Sequence, residues 1–248
     1  MTTILFDLDG TLLPMDQDQF VKAYLSCLAK AMAPHGYDPQ LLVKAIGSGF
    51  VAMLQNDGSA RNETVFWNAA QKYFSRDLRQ DEALFESFYE NEFQQVQKAC
   101  GKNPMAAETI AAIHTMGYRT ILATSPLFPP AATYSRVRWA GLRTQDFELI
   151  TTYDNSSYCK PNPNYYREIL KKQHLKPEEC LMVGNDAEED MIAQSLGMRV
   201  FLLTDCLINR DGRDISGYPQ GSFPDLLAFI QNLKEKEKEI SGLPDHIL

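Results

Sequence analysis

The sequence is sparing with cysteine, histidine and positive charge, and each shortage closes off a class of protein. Its five cysteines (Cys27, Cys100, Cys159, Cys180 and Cys206) are odd in number, scattered and without a CxxC pair. That argues against a disulfide framework and for free thiols in a reducing compartment. The four histidines (His35, His114, His174 and His246) lack metal-ligand spacing, so no zinc site is expected. A formal net charge of −8 would not draw nucleic acid or an anionic membrane over distance. No apolar run approaches the roughly 18 residues a membrane span needs, and no basic-then-apolar leader precedes Asp7. Internal repeats and long linkers are missing too. The expectation is a cytoplasmic protein without nucleic-acid or membrane partners, its oligomeric state open.

What is present is an ordinary core. Within 248 residues, a hydrophobic share of 44% and an aromatic share of 10% suffice for one large domain or a core plus a smaller one. The chain opens on Ile4-Leu5-Phe6-Asp7-Leu8-Asp9-Gly10-Thr11-Leu12-Leu13. Its apolar start reads as a buried parallel strand. Residues i and i+2 of a strand point the same way, so Asp7 and Asp9 could face one site at its C-terminal end. Ligands of open α/β sheets bind in that crevice. Two buried acids are costly there unless a cation or a reaction uses them.

Residues 15–100 then read as helix throughout, with no strand candidate. Phe20, Tyr24, Cys27, Leu28 and Ala31 recur at helical spacing, and Pro34, Gly36 and Pro39 end that helix. Residues 40–54 form a further apolar segment interrupted by Gly47-Ser48-Gly49. Asn62 is placed to cap a helix carrying Val65, Phe66, Ala69 and Tyr73. Residues 78–98 read as one long acidic amphipathic helix with Leu84, Phe85, Phe88, Tyr89 and Phe93 on its apolar face. From Gly101 the pattern alternates. Helices are expected at 105–116, 130–140, 163–174 and 187–196, and strands at 118–124, 148–152, 180–184 and 199–203. A last helix carries Leu226, Leu227, Ile230 and Leu233. Such alternation implies βαβ units and a parallel sheet, joined by the first strand and interrupted by the helical stretch.

Four separated pieces fall where such a sheet would assemble them: Asp7-Leu8-Asp9-Gly10-Thr11, Thr124-Ser125, Lys160-Pro161, and Gly184-Asn185-Asp186-Ala187-Glu188-Glu189-Asp190. This ordered set resembles the haloacid dehalogenase superfamily, with its DxDGT, Thr/Ser, Lys and acidic GDxxxD-like motifs. Asn185 between Gly184 and Asp186 is a spacing variant. The resemblance implies a Rossmann-like α/β core over residues 1–14 and 101–248 and an inserted helical cap over 15–100. It also implies an Mg²⁺-dependent phosphoric monoester hydrolase acting on a small phosphorylated metabolite. A phosphomutase of the β-phosphoglucomutase kind is the alternative, and a binding protein that has lost turnover a more distant one.

The residue types suit that chemistry. Asp7 is placed to attack phosphorus and form an aspartyl-phosphate. Asp9 could protonate the leaving oxygen and then deprotonate the hydrolytic water. Thr124 and Ser125 would offer a hydroxyl and N–H donors to the phosphoryl oxygens, and Lys160 a point charge. Asp186 and Asp190, four apart, would share a face of a helix's first turn. Close to Asp7 and Asp9 they would concentrate negative charge, since one pair at ~4 Å costs roughly 4 kcal/mol at an effective dielectric of about 20. A hard divalent ion with oxygen ligands relieves that, and Mg²⁺ is favoured. By the resemblance, Asp7 and Asp186 are direct ligands, Asp9 gives its backbone carbonyl, and Asp190 acts through water or indirectly.

Other features have plainer readings. Gly47-Ser48-Gly49 is either a substrate-specificity loop or an ordinary helix–helix break. Arg136, Arg138 and Arg143 read as a solvated helix face rather than an anion site. Cys159 reads as incidental rather than reactive, and the Phe85, Phe88, Tyr89, Phe93 stripe as the cap's own core. The motifs leave the substrate open.

Overall fold

The computed structural model describes residues 1–241, so His246 lies outside the described residues. The first strand, β1 (Thr3–Phe6), is wholly buried. Its side chains alternate between two apolar layers, Ile4 and Phe6 on one face and Leu5 on the other.

Helix α1 (Gln17–Met32) starts where the Asp16 carboxylate accepts the Gln19 N–H. It buries Phe20, Tyr24, Leu28 and Met32, one per turn. Helix α2 (Pro39–Leu54) is capped by Asp38 and begins on Pro39, a residue suited to the first turn. It runs unbroken through Gly47-Ser48-Gly49, so neither the loop nor the break expected there forms. Gly49 has a packing reason instead, since a Cβ there would stand 2.3 Å from the Phe66 ring, whereas a Cβ on Gly47 would meet nothing within 4 Å. The absence of that atom lets α3 (Asn62–Ala70) lie against α2. Asn62 is the first residue inside α3 and not its cap. Fully buried, it takes an N–H from Asn56 and gives its own to the Pro126 carbonyl.

The long helix expected over residues 78–98 is three pieces: a 3₁₀ turn (Leu78–Asp81), α4 (Glu82–Glu90), and further 3₁₀ turns (Glu92–Ala99). Asn91, at φ −113° and ψ −85°, leaves the helical region. Its side chain caps back onto the Ser87 carbonyl at 2.8 Å. The chain enters and leaves this helical insertion side by side. Met15 and Cys100 form an antiparallel bridge, and Gly101 N–H donates to Pro14 O at 2.7 Å.

Beyond the insertion come α5 (Pro104–Thr115), β2 (Arg119–Leu122), α6 (Pro130–Trp139), α7 (Pro163–Gln173), β3 (Cys180–Gly184), β4 (Arg199–Leu203), β5 (Gln220–Gly221) and α8 (Phe223–Ser241). The strands form one parallel sheet in the order β2-β1-β3-β4-β5. Aliphatic layers cover both faces, as a parallel sheet requires. Two expected elements differ. Residues 148–152 make only an isolated bridge, Leu122 to Ile150, because Asn155 bonds back to Ile150 O and Thr152 N and turns the backbone away. Residues 187–196 form a turn and then 3₁₀ helix from Met191 to Leu196. Here the Asp186 and Asp190 carboxylates accept backbone N–H groups and compete with the α-ladder. The two-residue β5, too short to show a period, was not anticipated.

Insertion and core meet through aromatic rings. Phe128, in the loop before α6, lies edge-on to Tyr24 at 5.2 Å and to Phe20 at 6.1 Å. Trp139 of α6 sits 5.0 Å from Phe93. Of the insertion's aromatic stripe, Phe93 is therefore also part of the seam with the core, while Phe85, Phe88 and Tyr89 pack on rings of the insertion itself. Among the described residues no helix is long and apolar enough to cross a membrane.

Candidate active site

The four sequence pieces converge at the C-terminal edge of the sheet. Because β1 pairs with β2 on one side and β3 on the other, Asp7, Thr124-Ser125 and Asn185-Asp186 leave the sheet next to one another. Asp7 is pinned by its N–H to Val183 O at 2.9 Å, and Ala123 N–H donates to Phe6 O at 2.7 Å.

Asp7 Oδ1 accepts from Lys160 Nζ at 2.8 Å, and its Oδ2 lies 3.1 Å from the Thr11 hydroxyl. Lys160 Nζ also donates to Asp190 Oδ1 at 2.7 Å. The lysine side chain is 1% exposed. Burial alone would disfavour its charge, but Asp190 and Asp7 outweigh burial and hold the ammonium protonated well above its ordinary range. Asp190, wholly buried, is pushed up to about 6 by burial, with Lys160 opposing. Its second oxygen accepts the Asp186 N–H at 3.0 Å, so both of its oxygens are occupied. It fits beneath the end of β3 only because that end is glycine: a Cβ on Gly184 would fall 2.0 Å from Asp190 Oδ2.

Asp9 belongs to a second pair. Its Oδ2 meets the guanidinium of Arg136, and its Oδ1 is buried with no partner among the described residues. Burial raises the Asp9 carboxyl, Arg136 pulls it back, and the charge of Asp7 adds to the rise. Arg136, expected on a solvated face, is fully buried on α6, while Arg138 and Arg143 are exposed as expected. It falls on the buried stripe of Ala132 and Ala140, four residues to either side, a spacing visible in the sequence. The guanidinium lies 4.5 Å from the centre of the Phe128 ring and 5.8 Å from that of Phe20.

Two residues tie these pairs together. Gly10, at φ +87°, has no room for a Cβ, which would meet Asn185 Nδ2 at 2.4 Å. Asn185 in turn lies 2.9 Å from the Thr11 hydroxyl and donates to Cys206 O at 2.7 Å. The spacing variant is thus a brace between the two acidic loops. The Thr124 and Ser125 hydroxyls are buried with no hydrogen-bond partner among the described residues, while Thr124 O accepts from the Thr151 and Tyr165 hydroxyls at 2.6 Å and 2.9 Å. Cys159 is buried, accepts from Asn62, and has its thiol pushed up to about 12 by burial, which leaves it inert.

Asp7, Lys160 and Asp190 are therefore brought into direct contact. Asp9 turns to Arg136, and Asp186 stands half-buried at the lip, its Oδ1 capping Glu188 and Glu189. Among the described residues no three Asp, Glu, His or Cys side chains gather closely enough to hold a metal by themselves. Hard oxygen donors nevertheless remain for a cation. The second oxygen of Asp186 and the Asp9 backbone carbonyl accept no hydrogen bond among the described residues.

Fold and site define a capped α/β protein whose candidate catalytic side chains gather at the strand ends of a parallel sheet. A family model described as haloacid dehalogenase-like hydrolase matches residues 1–195, and the chain belongs to that family. It is 28% identical over 202 residues to a phosphoglycolate phosphatase of Vibrio vulnificus, covering 81% of this chain and 82% of the relative. It is 23% identical over 199 residues to pyrophosphatase PpaX of Bacillus cereus, covering 80% and 81%. The crystal structure of a 2-haloacid dehalogenase from Pseudomonas syringae superposes with a TM-score of 0.61 at 19% identity, covering 94% of this chain and 99% of that one.

Proposed function

We propose that the protein is a Mg²⁺-dependent phosphoric monoester hydrolase that cleaves small phosphorylated metabolites through an aspartyl-phosphate on Asp7. The observation that carries this reading is the pairing of two strand-end carboxylates with separate buried cations, beside Thr124 and Ser125 hydroxyls with no hydrogen-bond partner among the described residues. The similarity to a phosphoglycolate phosphatase supports the same reaction class.

Asp7 attacks phosphorus while Lys160 steadies the nucleophile and the incoming charge. Asp9 gives its proton to the departing alkoxide, then accepts one from the water that cleaves the acyl phosphate. Inorganic phosphate leaves and both carboxylates return to their starting forms. Raising of the Asp9 carboxyl by burial suits a group that must carry a proton in the first step. Thr124 and Ser125 supply donors to the phosphoryl oxygens. Asp7, Asp186 and the Asp9 carbonyl would hold Mg²⁺, which when bound offsets phosphoryl charge that one lysine leaves unbalanced. In this reading Asp190, both oxygens engaged, orients Lys160 rather than binding the ion. The insertion would exclude bulk water during transfer.

The test is phosphate release from p-nitrophenyl phosphate and a panel including phosphoglycolate and pyrophosphate, with Mg²⁺, with EDTA and with Asp7→Asn. Release that requires the metal and vanishes in the variant is expected. Substantial release by the variant would overturn the nucleophile assignment. Isomerised phosphosugar in place of free phosphate would make the enzyme a mutase.

A further inference from the structure

A cavity of about 400 Å³ opens between α2, α3 and α4 on one side and, on the other, residues 127–131, which run from the loop before α6 into its first turn, and residues 153–154. None of the catalytic candidates lines it. Phe50 and Tyr89 form part of its inner wall and pack onto Phe128 and Tyr24, at 5.5 Å and 6.4 Å between rings. Phe128 in turn covers Arg136. An aromatic layer thus stands between this cavity and the Asp9 pair.

The composition of the wall is specific. Phe50, Phe66, Trp67, Phe85, Tyr89 and Tyr153 present aromatic surface, and no lysine, arginine or histidine is among its lining residues. Five carboxylates line it as well: Glu63, Glu82, Glu86, Glu90 and Asp154. The first two pair with Arg79 at 2.6 Å and 3.3 Å. The other three are exposed and have no ion-pair partner among the described residues. Arg79 itself lies over the Trp67 ring at 5.2 Å, so the protein already seats one of its own cations between this indole and two glutamates. Trp67 is 6% exposed, and its indole N–H approaches the Tyr153 hydroxyl without a hydrogen bond of ordinary geometry. Aromatic faces attract a cation through their quadrupole, and surrounding carboxylates add Coulomb attraction that a neutral ligand does not receive. The volume is that of a small-molecule site and not of a flat protein interface.

We propose that this cavity binds a small organic ammonium compound, at a site distinct from the phosphoryl-transfer centre. Charge on the carboxylates selects the cation, and the aromatic walls hold its alkyl groups.

The experiment titrates the full chain with choline and with its neutral carbon isostere 3,3-dimethyl-1-butanol, by calorimetry and by tryptophan fluorescence. Saturable choline binding at one site is expected, with the isostere at least about ten-fold weaker, since each ten-fold step needs only about 1.4 kcal/mol. A triple variant Glu86→Gln, Glu90→Gln, Asp154→Asn, altering only exposed side chains, is expected to weaken choline about ten-fold while leaving the isostere unchanged. The fluorescence response should disappear in Trp67→Phe, with Trp139 retained as an internal control. Choline binding should persist in Asp7→Asn, which separates this proposal from the fate of the phosphatase reading. Equal affinity for choline and the isostere, loss of choline binding in Asp7→Asn, or no saturable binding of choline would each overturn it.

Discussion

Asp7 and Asp9 are two residues apart, yet each answers to a cation with different surroundings. Lys160 reaches Asp7 from the loop before α7 and is braced from behind by Asp190 under β3. Every member of that group belongs to the sheet and its loops. Arg136 reaches Asp9 from α6 and lies under Phe128 and Phe20. Phe20 comes from the helical insertion, so the second pair takes part of its packing from the cap. The first is built to keep one geometry, and the second is positioned to sense what covers it. For a reaction in which one acid stays a nucleophile and the other changes protonation state, that division is physically sensible.

The comparison breaks most severely at Asp7. Asp7→Asn is expected to lower turnover by about 10³-fold or more while circular dichroism stays native, since the proposed mechanism has no substitute for that nucleophile. Asp9→Asn should cost roughly 10²–10⁴-fold. That loss should be smaller with p-nitrophenyl phosphate, whose leaving group needs no proton, than with an alkyl phosphate. Equal losses on both substrates would remove Asp9 from the acid role.

Arg136→Met sharpens the contrast through stability. It leaves the mostly buried Asp9 carboxylate without its cation, a change that costs about 3–5 kcal/mol in a fully buried pair, and chemical denaturation should report a smaller loss of the same sign. Arg136→Lys should recover part of it, as an ammonium restores the charge but not the planar contact with Phe128. The smallest effect lies beside the first pair. Burial pushes Glu189 from 4.5 up to about 7, with Lys160 opposing. The folded chain therefore holds this proton more tightly than the unfolded one. Its stabilising effect is complete below about pH 4.5 and lost as pH rises through about 7. In metal-free buffer, Glu189→Gln should melt several degrees above the parent at pH 8 and level with it near pH 4.5. A constant offset at both pH values would contradict this.

The first pair was legible in the sequence and the second only by half. Asp7 and Asp9 announced themselves because a strand has a two-residue period and few reasons to end in acids. Lys160 was recognisable through its company of motifs, and the parallel core through its alternation of elements. Arg136 was hidden because an arginine on a helix is assumed to face water, although its four-residue steps to Ala132 and Ala140 marked an inward stripe. The glycines of α2 misled for a related reason. In sequence a glycine looks like a breaker, whereas Gly49 serves a close approach to Phe66 that only the tertiary structure reveals. The turn at 187–190 escaped because side-chain carboxylates took N–H groups that a periodicity argument assigns to the helix.

The antiparallel bridge between Met15 and Cys100 and the bond from Gly101 to Pro14 bring the two ends of the insertion within one hydrogen bond of each other. Seen from the sheet, the whole helical unit therefore occupies the footprint of a tight turn. The entropy cost of closing such a junction grows only slowly with the length of chain beyond it. A linker of a few residues would span the same junction, though it would uncover Phe128 and Trp139, which Phe20, Tyr24 and Phe93 now cover. A lid spliced in as an exchangeable cassette must therefore bring its own cover for those two rings.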